Sequence, residues 1–146
     1  MEAGEGITIE PIIRDWLIVE PELRLVGSKC RRCGKLFFPP TETCAECFSQ
    51  DIERVPLSKE GEIHSFSIIR VPPDPSFKVP YVLAYIDLPE DVRVFTQLEV
   101  EEKDYDKLRI GMKARIMLGV VRYENKGGKE IPIYGYKFKP IFEGSE

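Results

Sequence analysis

The chain has 146 residues, 42% of them apolar and 10% aromatic, with 25 acidic against 21 basic side chains and a formal net charge of -4. That is a globular composition, long enough for one ordinary domain or two small ones. Its acidic balance excludes a surface built throughout to neutralise phosphates, while leaving room for local basic patches. No apolar run approaches the roughly 20 residues that cross a bilayer. The opening MEAGEGITIEP carries acids where a secretory signal has positive charge followed by an apolar core. A cytoplasmic protein with no membrane partner is expected.

In chain order, the first patterned segment is ITIEPIIRDWLIVE, residues 7 to 20. Ile12 with Trp16 and Ile13 with Leu17 stand four apart, a spacing that predicts one short helix starting near Pro11. Glu20-Pro21 interrupts it, because proline disfavours helical geometry in the preceding residue. Residues 1–26 are thus expected to form an N-terminal helical segment.

All four cysteines follow within KCRRCGKLFFPPTETCAEC, residues 29 to 47, in the pattern C-x2-C-x10-C-x2-C. In a reducing compartment such a cluster reads as a metal site rather than as two disulfides. Two facing knuckles supply four thiolates, which fill the tetrahedral coordination of a structural zinc ion and leave no open position for substrate. A rubredoxin-like iron site uses the same four sulfurs, but Phe48 stands after Cys47 where rubredoxins tend to repeat a glycine. The expected ligands are Cys30, Cys33, Cys44 and Cys47, in a zinc ribbon spanning 27–55. Lys29, Arg31, Arg32 and Lys35 make the first knuckle basic. FSQDIERVPLSKEG, after Cys47, reads as a linker at about residues 50 to 60.

Beyond Gly61 the texture becomes alternating and β-branched, predicting strands over 62–71, 81–88, 92–100, 113–121 and 131–139. Pro89-Glu90-Asp91 is a tight hairpin connection, Gly127-Gly128 invites a turn with positive φ, and EEKDYDKLRIG has the length for one helical turn. Five strands with an excursion between the third and fourth predict an OB-fold over 56–146. The fold class is therefore mainly β: an N-terminal helix, a rubredoxin-like zinc ribbon, then a five-stranded OB-fold barrel. Charge is segregated along the barrel. Residues 113–139 hold seven bases against two acids, and residues 87–106 hold eight acids against two bases, which suggests binding faces. The single histidine, His64, lies in a predicted strand with no nucleophile beside it, and no phosphate loop or metalloprotease motif is present. A non-catalytic protein is expected.

The order of features, with the string G-S-K-C-x-x-C-G-x-x-x-F-P-P at 27 to 40, CAEC, G-E-I-x-S-F, Pro80-Tyr81 and I-G-M-K at 110 to 113, resembles one family over nearly the whole chain. It is the archaeal and bacterial family of domain of unknown function 35, DUF35. The resemblance implies a zinc ribbon joined to an OB-fold and an association with thiolases and other acyl-CoA enzymes. For an archaeal member, it implies acetoacetyl-CoA thiolase and hydroxymethylglutaryl-CoA synthase of the mevalonate route as partners. It further implies a scaffold subunit that helps to hold CoA, with Phe37, Phe38, Pro39 and Pro40 facing the pantetheine path and Lys29, Arg31 or Arg32 near the phosphates. Pro80 and Tyr81 are expected to face CoA or a partner. Thr41 departs from the arginine that usually follows the two prolines. A single-stranded nucleic-acid-binding module is the alternative, since ribbons and OB-folds both serve that use.

Overall fold

The computed structural model describes residues 8–142. In chain order it contains β1 (Thr8–Ile9), a 3-10 turn (Pro11–Trp16), β2 (Leu17–Ile18), β3 (Arg24–Cys30), β4 (Leu36–Phe37) and β5 (Ile52–Pro56). There follow β6 (Glu60–Ile69), β7 (Tyr81–Leu88), β8 (Val92–Leu98), a second 3-10 turn (Glu102–Lys107), β9 (Lys113–Lys126) and β10 (Lys129–Pro140).

The expected N-terminal α-helix is not formed. Pro11–Trp16 is a 3-10 turn, closed by the Leu17 backbone N–H on the Arg14 carbonyl. The flanking residues are drawn into strands, Thr8–Ile9 onto β10 and Leu17–Ile18 onto β3. Only the seven residues 10–16 remain between them, too few to offset the cost of nucleating an α-helix. Ile13 and Leu17 are both buried, but from a turn and a strand rather than from one helix face. Residues 1–7 of the expected segment lie outside the described residues.

The five expected strands are β6 to β10. β6, β7 and β8 run antiparallel in sequence; β10 pairs parallel to β8 and antiparallel to β9, and β9 closes on β6. This is the closed five-stranded order of an OB-fold. Period-two alternation fixes the inside of the barrel: Val92, Val94, Thr96 and Leu98 of β8 and Val82, Ala84, Ile86 and Leu88 of β7 are buried, whereas Arg93 and Phe95 point outward and are exposed. At Gly61, β6 passes so close to β7 that a Cβ would lie 2.5 Å from the Asp87 carbonyl oxygen. β9 and β10 meet at Gly127-Gly128, both with positive φ.

β3 pairs antiparallel with both β4 and β5, forming the ribbon sheet. The stretch expected as a linker is ordered instead: Ile52–Pro56 is β5, and the boundary between residues 55 and 56 falls inside it. Leu57 is fully buried in the same core as the barrel residues, and its N–H donates to the Leu25 carbonyl at 2.8 Å. Isolated apolar residues in a polar run here mark an edge strand over a core. Trp16, Phe38 and Tyr136 complete the junction, with ring centroids 5.5 Å apart for Trp16–Phe38 and 5.9 Å for Phe38–Tyr136. The 3-10 turn, ribbon and barrel therefore share one core.

Candidate functional site

The two knuckles repeat one backbone design. Cys30 N–H donates to the Lys35 carbonyl and Gly34 N–H to the Cys30 carbonyl; fourteen residues on, Cys44 N–H donates to Ser49 and Phe48 N–H to Cys44, all at 2.8–2.9 Å. In each knuckle the backbone N–H of the second cysteine points at the sulfur of the first, at 3.4 Å. The four sulfurs lie within 4.8 Å of one another, and Cys30–Cys47 and Cys33–Cys44 are each 3.6 Å apart. A zinc–thiolate tetrahedron has sulfur–sulfur edges of about 3.8 Å, so the cage already has the required size.

Its electrostatics ask for a cation. The Cys33 backbone N–H brings the Cys30 thiol down to about 6. Cys33, although the Lys35 N–H favours its thiolate, is pushed up to about 11 by burial and the neighbouring thiols. Four thiolates this close repel one another unless a dication lies between them. The residues fit structural zinc, held by Cys30, Cys33, Cys44 and Cys47. Cys30 and Cys44 are buried while Cys33 and Cys47 reach the surface.

The other expected site residues fall into three settings. Lys29, Arg31 and Arg32 are exposed around the first knuckle, and Arg31 is already paired with Asp51 at 2.8 Å and Glu53 at 3.9 Å. Phe37 lies in β4 opposite Ser28, and Pro39 is exposed and Pro40 half-buried beside it. The Phe38 ring is half-buried between Trp16 and Tyr136, so it joins ribbon to barrel instead of forming a free wall. Buried Ser28 fixes the following loop: its hydroxyl donates to the Thr41 carbonyl and accepts from the Thr41 N–H. The backbone of Thr41 is thus held in place whatever side chain stands there.

Pro80 and Tyr81 lie on the barrel, where Tyr81 stacks on Phe77 at 5.7 Å. Tyr81 lines an apolar groove of about 290 Å³ with Ile13, Phe77, Leu83, Phe95 and Tyr136. Sequence reading missed this groove. Leu83 and Phe95 are the outward positions of alternating strands, but Ile13 and Phe77 come from segments that only the tertiary fold brings there. A more polar cleft of about 510 Å³ next to it is lined by Pro80, Arg122 and Lys137 among others. Lys137 is only 9% exposed, held by Glu99 at 2.6 Å and by the Val120 carbonyl. His64 is exposed against Asp87 and Arg93, a surface cluster.

Comparison with known proteins agrees with this architecture. Residues 20–53 match the family model described as the ChsH2 rubredoxin-like zinc ribbon domain, and residues 54–118 the ChsH2 C-terminal OB-fold domain. The chain is 43% identical to a benzoylsuccinyl-CoA thiolase subunit, BbsA, of Geobacter metallireducens, over 80% of this chain and 75% of that one. It is 38% identical to a DUF35 domain-containing scaffold protein of Methanothermobacter thermautotrophicus, over 88% and 95% of the two chains. The solved Ltp2-ChsH2(DUF35) aldolase superposes with a TM-score of 0.60 at 32% identity, covering 80% of this chain and 84% of that one. With ribbon and barrel matched in the same order, and with the relatives spanned over most of their length, the chain belongs to the DUF35 family of zinc-ribbon and OB-fold proteins.

Proposed function

We propose that the protein is a non-catalytic accessory subunit of a thiolase-type enzyme acting on CoA thioesters. The observation that carries this reading is the match over most of the chain to a thiolase subunit and to scaffold proteins. The chemistry of the metal cage supports it: four protein thiolates saturate zinc and give it a structural role. Among the described residues, His64 is an exposed partner of Asp87 and Arg93 rather than a poised base.

The finer reading is that the subunit bridges acetoacetyl-CoA thiolase and hydroxymethylglutaryl-CoA synthase and holds CoA while the acyl intermediate passes between them. Thiolase condensation is thermodynamically uphill, so retaining its product near the next active site limits loss and reversal. Lys29 and Arg32 are the exposed cations for the CoA phosphates, and Arg31 is available there only after leaving Asp51 and Glu53. Phe37, Pro39 and Pro40 on the ribbon, and Pro80 and Tyr81 on the barrel, are the proposed apolar contacts. The nucleic-acid reading is weaker because the basic stretch of the barrel is locally neutralised: Arg115 pairs with Glu60, Arg122 with Glu10 and Lys137 with Glu99.

The test is co-expression with the thiolase of the same organism, followed by size-exclusion chromatography and calorimetric titration with CoA. Co-elution in fixed ratio is expected. Separate elution at high micromolar concentration removes the accessory-subunit reading, and co-elution without CoA binding removes only the CoA part.

A further inference from the structure

The two knuckles share the same backbone hydrogen bonds, but the left-handed position after the second cysteine holds a different residue in each. The residue after the second cysteine of the first knuckle is Gly34, with φ +81; its counterpart is Phe48, with φ +62. A side chain in this left-handed region is strained, which is why glycine is the usual occupant. Phe48 is also 76% exposed, so its ring gains little from packing within the chain. A strained backbone carrying a large apolar side chain into solvent costs the isolated fold twice. Strain of this kind is held where the surroundings over-determine it and often serves function; here the cage of four sulfurs does so.

The charge around Phe48 says what it meets. From Leu36 to Glu53 the chain carries no lysine or arginine, and its acids are Glu42, Glu46, Asp51 and Glu53. Asp51 and Glu53 are engaged by Arg31. Glu42 and Glu46 are exposed and have no ion pair among the described residues. The second knuckle therefore presents one exposed aromatic side chain on a stretch whose charged residues are all acids, in contrast to the basic first knuckle.

We propose that Phe48 is the anchor by which the zinc ribbon docks on the thiolase-type subunit, entering an apolar pocket rimmed by lysine or arginine that faces Glu42 and Glu46. This rests on the accessory-subunit reading above. A single pre-positioned aromatic ring in a desolvated pocket is the usual dominant contact of an interface, and the acidic rim speeds encounter and sets orientation.

The experiment uses the full zinc-loaded chain and the thiolase of the same organism, with affinity measured by biolayer interferometry. Phe48→Gly relieves the backbone and removes the exposed ring. Its zinc content should equal the parent's and its melting temperature should be unchanged or higher, while its affinity for thiolase falls at least tenfold. The Glu42→Lys, Glu46→Lys double variant should associate several-fold more slowly at low salt, and the gap should close as salt screens the rim. Parent-like affinity in Phe48→Gly discards the anchor and leaves the subunit reading intact. Faster association of the double variant discards the basic rim. A parent chain that does not bind thiolase discards both the subunit reading and the anchor.

Discussion

At the scale of single residues, the metal ligands were legible and their effect can be measured one atom at a time. C-x2-C spacing dictates a knuckle because two sulfurs on one tight loop need no help from the rest of the fold. Cys33→Ser should lose zinc, checked by elemental mass spectrometry, and should unfold the two knuckles. β3 and β5 should persist, because their ladder continues into the shared core through Leu25 and Leu57. Tyr136 was legible only as part of an aromatic strand. Its hydroxyl donates to the Phe95 carbonyl at 2.9 Å, and burial pushes its phenol up to about 12. An unfolded tyrosine ionises near 10, so between about 10 and about 12 the unfolded state loses a proton that the folded state keeps. Stability therefore falls as pH rises through that window. Tyr136→Phe should cost about 1 kcal/mol at neutral pH and flatten the alkaline loss, as read by urea unfolding across the pH range.

At the scale of elements, the strands were visible because a barrel imposes strict alternation on residues such as Val92, Val94, Thr96 and Leu98. The N-terminal segment misled for a definite reason: four-residue spacing of apolar side chains is shared by a helix and by a short turn flanked by strands. Only the pairing of Thr8–Ile9 with β10 and of Leu17–Ile18 with β3 decides between them. The linker expected near residues 50 to 60 was the converse case, since Leu57 alone does not reveal that it is buried. Gly61 marks how tightly the elements are fitted. A Cβ there would lie 2.5 Å from the Asp87 carbonyl oxygen and 2.7 Å from Ile86 Cγ2, backbone and core that have little room to move. Gly61→Ala should destabilise by about 2 kcal/mol or more, measured by chemical denaturation of the zinc-loaded protein.

At the scale of the whole molecule, the aromatic junction makes ribbon and barrel one cooperative unit. Trp16→Ala removes the ring that touches both Phe38 and Tyr136 and should cost about 2–3 kcal/mol, below the usual value for a fully buried tryptophan. Hydrogen exchange should then show faster opening of the ribbon than of the barrel, instead of the single coupled opening expected of the parent. The junction was illegible in the sequence because its three members lie in three distant segments. The same long reach bears on how the chain is made. β1 adds in parallel to Ile133–Tyr134 of the last strand, Glu10 N–H donates to the Tyr134 carbonyl, and Glu10 pairs with Arg122 at 2.5 Å. The first described strand emerges from the ribosome long before its partner among the described residues exists. It must wait until Ile133 and Tyr134 have been synthesised, so closure of β1 onto the barrel follows formation of the strands between them, and a chain cut short before β10 leaves β1 unpaired.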